Sequence, residues 1–161
     1  MFLAVANPLN ASALVFPVLE CIHIVGFAVL VGTIAIVDFR LLGLGMRRQK
    51  TAFAGTELAL AAYRHAAEVA KDLAPWTLVG LVMVMFSGPL LFSSDPDMYY
   101  LNWSFQLKMV LLLLAIVFHF TIHRKAVSAD SSPLRGRLVA GISMALWVGV
   151  VFGGIFIAFI N

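Results

Sequence analysis

The chain has 161 residues, of which 62% are hydrophobic and only 12% charged, and its mean hydropathy of +1.00 is far above that of an ordinary soluble domain. At ~20 apolar residues per helical crossing, that length supplies four or at most five membrane spans and leaves little for a separate globular head. The single cysteine, Cys21, excludes an intrachain disulfide and a cysteine-cluster metal site.

In chain order, the first apolar run extends from Ala13 to about residue 38, interrupted by Glu20 and His23. No Lys or Arg precedes Arg40, so the run lacks the charged start of a secretory signal and reads as a retained span. Residues 52–72 are more polar, with Glu57, Arg64, His65, Glu68 and Asp72 on one face and Leu58, Ala62, Ala66 and Val69 on the other. They predict an amphipathic cytoplasmic helix, or an extension of the second span interrupted by Pro75. Further spans are expected over about 73–93, 103–124 and 138–160. The chain as a whole, 1–161, reads as one all-α domain, an integral membrane four-helix bundle.

Arg40, Arg47, Arg48, Lys50, Arg64 and Lys71 fall between spans one and two, and Arg124, Lys125, Arg135 and Arg137 between spans three and four. The remaining loop has Asp95 and Asp97 and no basic residue. By the positive-inside rule both termini face outward, and the high pI of about 9.4 reports orientation rather than nucleic-acid binding. Tyr99, Tyr100 and Trp103 suit the outer aromatic belt and Trp76 the inner one.

An ionisable side chain at mid-span costs roughly 2.5 to 3.5 kcal/mol on insertion scales, so each one points to a partner or a function. Glu20 and Asp38 fall on one line of span one, with His23 about 60° away; Lys108 and His119 fall within about 20° of each other on span three. Counting from the span ends places Lys108 level with Glu20 and His23, and Asp38 level with His123. An outer polar layer (Glu20, His23, Lys108) and an inner one (Asp38, Arg40, His119, His123, Arg124) result.

The bland reading of the outer layer is a Glu20–Lys108 ion pair with a satisfied histidine beside it. The sharper reading is a haem site. A neutral His23 imidazole is a good axial ligand, Glu20 one turn away would orient it, and Lys108 would pair a propionate or the iron. Ser87, Gly88, Gly153 and Gly154 lie at the same depth and leave room for a macrocycle, although Gly141, Ala145, Gly149 and Gly153 also form a small-residue line of the kind that seats another helix. A haem bridged by His23 and His119 is disfavoured, because the two lie roughly 15 Å apart in depth. His119 and His123, with Asp38, form a possible second metal site. Against it stands salt bridging, and His65 joins only if its segment folds back. Met83, Met85 and Met109 offer soft copper ligands, though such methionines are commonly packing.

The stretch from Glu20-Cys-Ile-His23 through Gly26 to Asp38-Phe-Arg40 resembles the first helix of a family of uncharacterised four-helix bacterial inner-membrane proteins. Pro75-Trp76, Gly80, Ser87-Gly88, Pro96, Tyr100, Asn102, Phe105, Lys108 and His123-Arg124 extend that likeness over residues 17–126. Weaker likenesses join it to the membrane domain of copper-resistance protein D and to the J-type protoporphyrinogen oxidase. The latter resemblance implies bound haem b, with His23 and Lys108 at the matching positions. The expected protein is therefore a b-type cytochrome-like protein of the bacterial inner membrane, in contact with lipid and with a quinone or other redox partner. The alternatives are a copper-handling protein and a structural subunit that forms homo- or hetero-oligomers through span four. No serine or cysteine nucleophile with a suitably spaced base, and no phosphate loop, points to a hydrolase or nucleotide enzyme.

Overall fold

A computed structural model describes residues 13–44, 55–127, 133–157 and 159, with side chains from residue 64 in the second helix and from residue 134 in the last. Helix α1 spans Val15–Leu41, α2 Gly55–Ser94, the short α3 Pro96–Tyr100, α4 Trp103–Phe118, α5 Arg124–Ala126 and α6 Pro133–Phe156. A π-helical turn, His119–His123, joins α4 to α5. Four helical stretches, Val15–Leu41, Arg64–Ser94, Trp103–Ala126 and Leu134–Phe156, are long and apolar enough to cross a membrane, so the chain is a multi-pass membrane protein. Large apolar side chains such as Val25, Leu78, Phe86, Val110, Leu113 and Phe152 point outward. Water would penalise such a surface and hydrocarbon does not.

Helix α2 runs without interruption from Gly55 through Pro75 and Pro89. The segment 55–72 is therefore a continuation of the second span, and Pro75 does not break it. In a membrane helix, neighbours can satisfy the carbonyl that a proline frees. Ala66 is buried, while Arg64, His65, Glu68 and Asp72 are exposed, as their alternation predicts. The side chains of Glu57, Leu58 and Ala62, the loop residues Arg47, Arg48 and Lys50, and the expected end of span four at Ile160 lie outside the described residues.

Helix α1 packs along α2, and α4 along α6; α1 also meets α6 and so joins the two pairs. The α1–α2 approach is set by glycine. A Cβ at Gly80 would lie 2.6 Å from Leu30 N and 2.8 Å from Gly26 O, and one at Gly26 would lie 2.6 Å from Met83 Cβ. The core at mid-bundle consists of Leu30, Ile34, Val84, Leu112, Ala115, Trp147 and Val150, and Phe27 meets Trp147 edge-on at 6.4 Å. A second cluster, Val37, Leu41, Ala66, Val127 and Ala140, closes the end that carries the basic loops.

Local chemistry explains the helix ends. Past Leu41, Gly43 adopts φ +78, and Leu44 N donates to Phe39 O while Gly43 N donates to Arg40 O. This is the Schellman stop, for which glycine alone lacks a steric cost. Asn102 caps α4 by accepting from Ser104 N and Phe105 N, and its Nδ2 donates to Ile157 O. One buried side chain thus starts α4 and ties it to the far end of α6.

Candidate functional site

Two polar layers sit at opposite ends of α1. In the first, near the acidic loop, His23 Nδ1 lies 2.8 Å from Ser87 Oγ. Ser87 is fully buried, and its hydroxyl also lies 2.6 Å from Met83 O. Two oxygens approach that closely only with a proton between them, and a hydroxyl has just one. Ser87 therefore donates to Met83 O and accepts from His23 Nδ1–H. The ring is fixed in the Nδ1–H tautomer, and Nε2 keeps its lone pair.

Glu20, expected to orient His23, is exposed instead, and the orienting group is Ser87 from the neighbouring helix. A Cβ at Gly88 would meet nothing within 4 Å except His23, at 3.5 Å from Cε1, so one edge of the ring is uncrowded. Lys108 is half-buried. Its stem lies on α6, where a Cβ at Gly153 would come within 3.1 Å of Lys108 Cβ and one at Gly154 within 3.4 Å of Nζ. Gly153 is thus occupied in seating α4 on α6 and leaves no free space for a macrocycle. Gly149 is likewise filled by Leu111. Half of the small-residue line on span four is spent inside the chain; Gly141 and Ala145 are exposed.

At the mouth of this layer Phe92, Tyr99 and Phe105 form an aromatic cluster with centroid separations of 5.5 to 6.3 Å. Partial burial raises the Tyr99 phenol above its ordinary range, and the charges of Glu20 and Asp95 push it the same way.

The second layer lies fifteen residues along α1 from His23, or about 22 Å along the axis. His123 Nε2 and Asp38 Oδ1 are 2.6 Å apart, with side chains 3% and 1% exposed. The depth count that placed Asp38 level with His123 thus corresponds to a direct contact. His119, one turn back across the π-helical turn, stacks on His123 at 5.0 Å and 24°. In that turn Arg124 N donates to His119 O, five residues back, so it carries an extra residue, a feature frequent at functional sites. Among the described residues, two buried side-chain atoms have no hydrogen-bond partner: Asp38 Oδ2 and His119 Nδ1. Arg124 lies over the Phe120 ring at 5.8 Å.

His119 and His123 open onto a cavity of about 590 Å³ between α1, α2 and α4. Its walls include Leu30, Ile34, Leu81 and Trp147, its polar side Thr33 and Thr77, and its rim Lys71 and Arg124. The volume falls within the range of small-molecule sites, ~300–1,000 Å³. No three or more His, Cys, Asp or Glu among the described residues are placed to hold a metal ion. Asp38, His119 and His123 therefore do not converge as a three-ligand set, and His123 Nε2 is taken by Asp38. His65 is exposed, 3.8 Å from Glu68. Met85 and Met109 are 45% and 46% exposed on outer faces of the bundle. The cavity, the Thr33–Thr77 pair and the π-helical turn leave no mark in residue spacing; the signals of this layer in the sequence are the depth match of Asp38 with His123 and the nearness of His119 to His123 along the chain.

The chain matches, over residues 13–160, a family of unknown function (DUF6644). The chain belongs to the DUF6644 family. Membership agrees with the resemblance to uncharacterised membrane proteins and lends no activity. No curated protein and no solved structure matches the chain, so the likenesses to copper-resistance protein D and to the J-type oxidase gain no support.

Proposed function

We propose that this DUF6644 protein is a b-type, haem-binding redox protein of the bacterial inner membrane, with both termini outside and the basic loops in the cytoplasm. The observation that carries the reading is the Ser87-fixed tautomer of His23. A buried serine holds the Nδ1–H, so Nε2 is left as a neutral, pre-oriented donor atom, as an axial haem ligand requires. Gly88 leaves the ring edge uncrowded. Lys108 supplies a cation in the same half of the bundle for a propionate or for the iron, and the Gly153–Gly154 surface gives its stem a seat. Haem bound there would supply one-electron transfer inside the bilayer. Orientation rests on the charge asymmetry of the loops.

Protein purified from haem-replete cells is expected to show a Soret band and a pyridine haemochromogen spectrum. His23→Ala is expected to abolish both and Ser87→Ala to shift the band, while His65→Ala leaves the spectrum unchanged. A colourless wild-type preparation overturns the proposal. Stoichiometric copper in it would favour copper handling, and a metal-free preparation a structural subunit.

A further inference from the structure

We infer that the cavity at the basic end of the bundle is a binding site for a hydroquinone-class ligand, a membrane-dissolved ring carrying hydroxyl donors. The inference stands apart from the haem reading, since it uses none of the residues of the outer layer.

The walls exclude charge and the polar side selects donors. Leu30, Ile34, Val37, Leu81, Ile116 and Trp147 surround most of the space. A charged headgroup placed among them would lose its hydration without repayment. The polar groups are depleted of protons. Thr33 Oγ1 lies 2.9 Å from Val29 O and from Leu30 O, so its single proton is spent on its own helix. Thr77 Oγ1 lies 2.9 Å from Thr33 Oγ1 and 3.0 Å from Leu73 O, so its proton is also spent on the protein. Both hydroxyls retain acceptor lone pairs only. His123, which also lines the cavity, has its Nε2 engaged by Asp38 Oδ1 at 2.6 Å. Behind it Asp38 is fully buried, with Oδ2 unpartnered. His119, which lines the cavity as well, stacks on His123.

The two threonine hydroxyls are thus complementary to a ligand that donates. A benzene-1,4-diol ring meets both demands at once. It dissolves in the bilayer, it is neutral, and it has two O–H groups. Its oxidised form, with two carbonyls, has no proton to offer the two threonines. Lys71 and Arg124 at the rim define the competing occupant, an anionic amphiphile such as a fatty acid.

Trp147 lines the cavity and is one of three tryptophans, which provides a readout. The full chain carrying Trp76→Phe and Trp103→Phe, in phospholipid nanodiscs, is titrated with a short-tailed ubiquinol, with its dimethyl ether and with myristate. The expected result is a saturable change in Trp147 emission with ubiquinol at one per chain, and at least tenfold weaker binding of the ether, which has the same ring and tail but no donor. Ala70→Phe, which fills the cavity from α2, is expected to weaken ubiquinol binding at least tenfold with unfolding unchanged. A non-saturable response, equal binding of the ether, tighter binding of myristate, or unaltered binding in the folded Ala70→Phe protein each overturns the inference. Haem content, read from the same samples, reports separately on His23.

Discussion

Replacing Gly80 by alanine tests the packing on which the His23 site depends. The new Cβ would stand 2.6 Å from Leu30 N, 2.8 Å from Gly26 O and 3.0 Å from Leu30 Cα, all backbone atoms of α1. Nonbonded carbon contacts settle at about 3.5 to 4.0 Å, so α1 and α2 must separate locally by roughly 1 Å. Overpacking of this kind costs about 1 to 3 kcal/mol. His23 and Ser87 sit on the same two helices 2.8 Å apart, and an added ångström carries them beyond hydrogen-bond range, for a further ~1 kcal/mol. A total loss of about 2 to 4 kcal/mol is expected, read by reversible unfolding in mixed micelles with increasing SDS. Gly32→Ala is the control. A Cβ there meets nothing within 4 Å, and the helix propensity of alanine alone favours the variant by up to ~1 kcal/mol. Equal stability of the Gly80→Ala and Gly32→Ala proteins would refute the close approach. A stability loss with an unaltered His23 environment, seen in the imidazole proton resonances, would refute the coupling of that approach to the histidine.

At the other end of α1, Asp38→Ala leaves His123 buried without its partner and is expected to cost about 3 to 5 kcal/mol in the same unfolding assay; the double variant Asp38→Leu/His123→Leu should recover much of that loss. If the single variant costs under 1 kcal/mol, the buried pair is not formed. Asn102→Ala removes two cap hydrogen bonds and the tether to Ile157 O. It is expected to cost about 0.5 to 2 kcal/mol and to raise hydrogen exchange at Ser104 and Phe105 selectively. The raised Tyr99 phenol predicts that its phenolate absorbance at 295 nm, taken as wild type minus Tyr99→Phe, appears above the ordinary value of about 10. Because the unfolded chain releases that proton first, the contribution of Tyr99 to stability is complete below pH ~10 and is lost as pH rises through the folded value. Glu20→Gln should bring the transition part-way down, and no change on that substitution would remove Glu20 from the mouth of the site.

The spans were legible because a bilayer demands unbroken apolar runs, and the two polar layers because 1.5 Å per residue is a dependable ruler within a helix. That ruler brought His123 to Asp38, and it brought Ser87 to the level of His23. It gives depth and direction on one helix, but not which neighbour a side chain meets. Glu20 and Ser87 are both close to His23 in depth, and only the Gly26–Gly80 approach, which presses α1 against α2, decides for Ser87. Gly153 illustrates the same limit. A glycine at the right depth is equally consistent with a cavity and with a helix contact, and here Lys108 fills the space. The extension of α2 through Pro75 escapes sequence rules drawn from water, where proline ends a helix.

The two layers solve the same physical problem differently, and the difference bears on where ligand chemistry resides. Each places an imidazole in low dielectric, where an unmet polar atom costs about 1 to 3 kcal/mol. The outer layer meets that cost with a neutral hydroxyl relay, Met83 O to Ser87 to His23, which consumes one imidazole nitrogen and leaves the other with its lone pair. The inner layer meets it with a carboxylate, and leaves Asp38 Oδ2 and His119 Nδ1 buried and unpartnered, while the His119 and His123 rings line the cavity. Apolar side chains of similar volume could hold α1 to the π-helical turn equally well, since a buried polar pair is often no more stable than such a replacement. Ubiquinol binding that raises the unfolding midpoint of the wild type, but not that of the Asp38→Leu/His123→Leu protein, is the outcome this argument requires; a double variant stabilised to the same extent by ubiquinol would show that the cavity binds by its apolar walls alone.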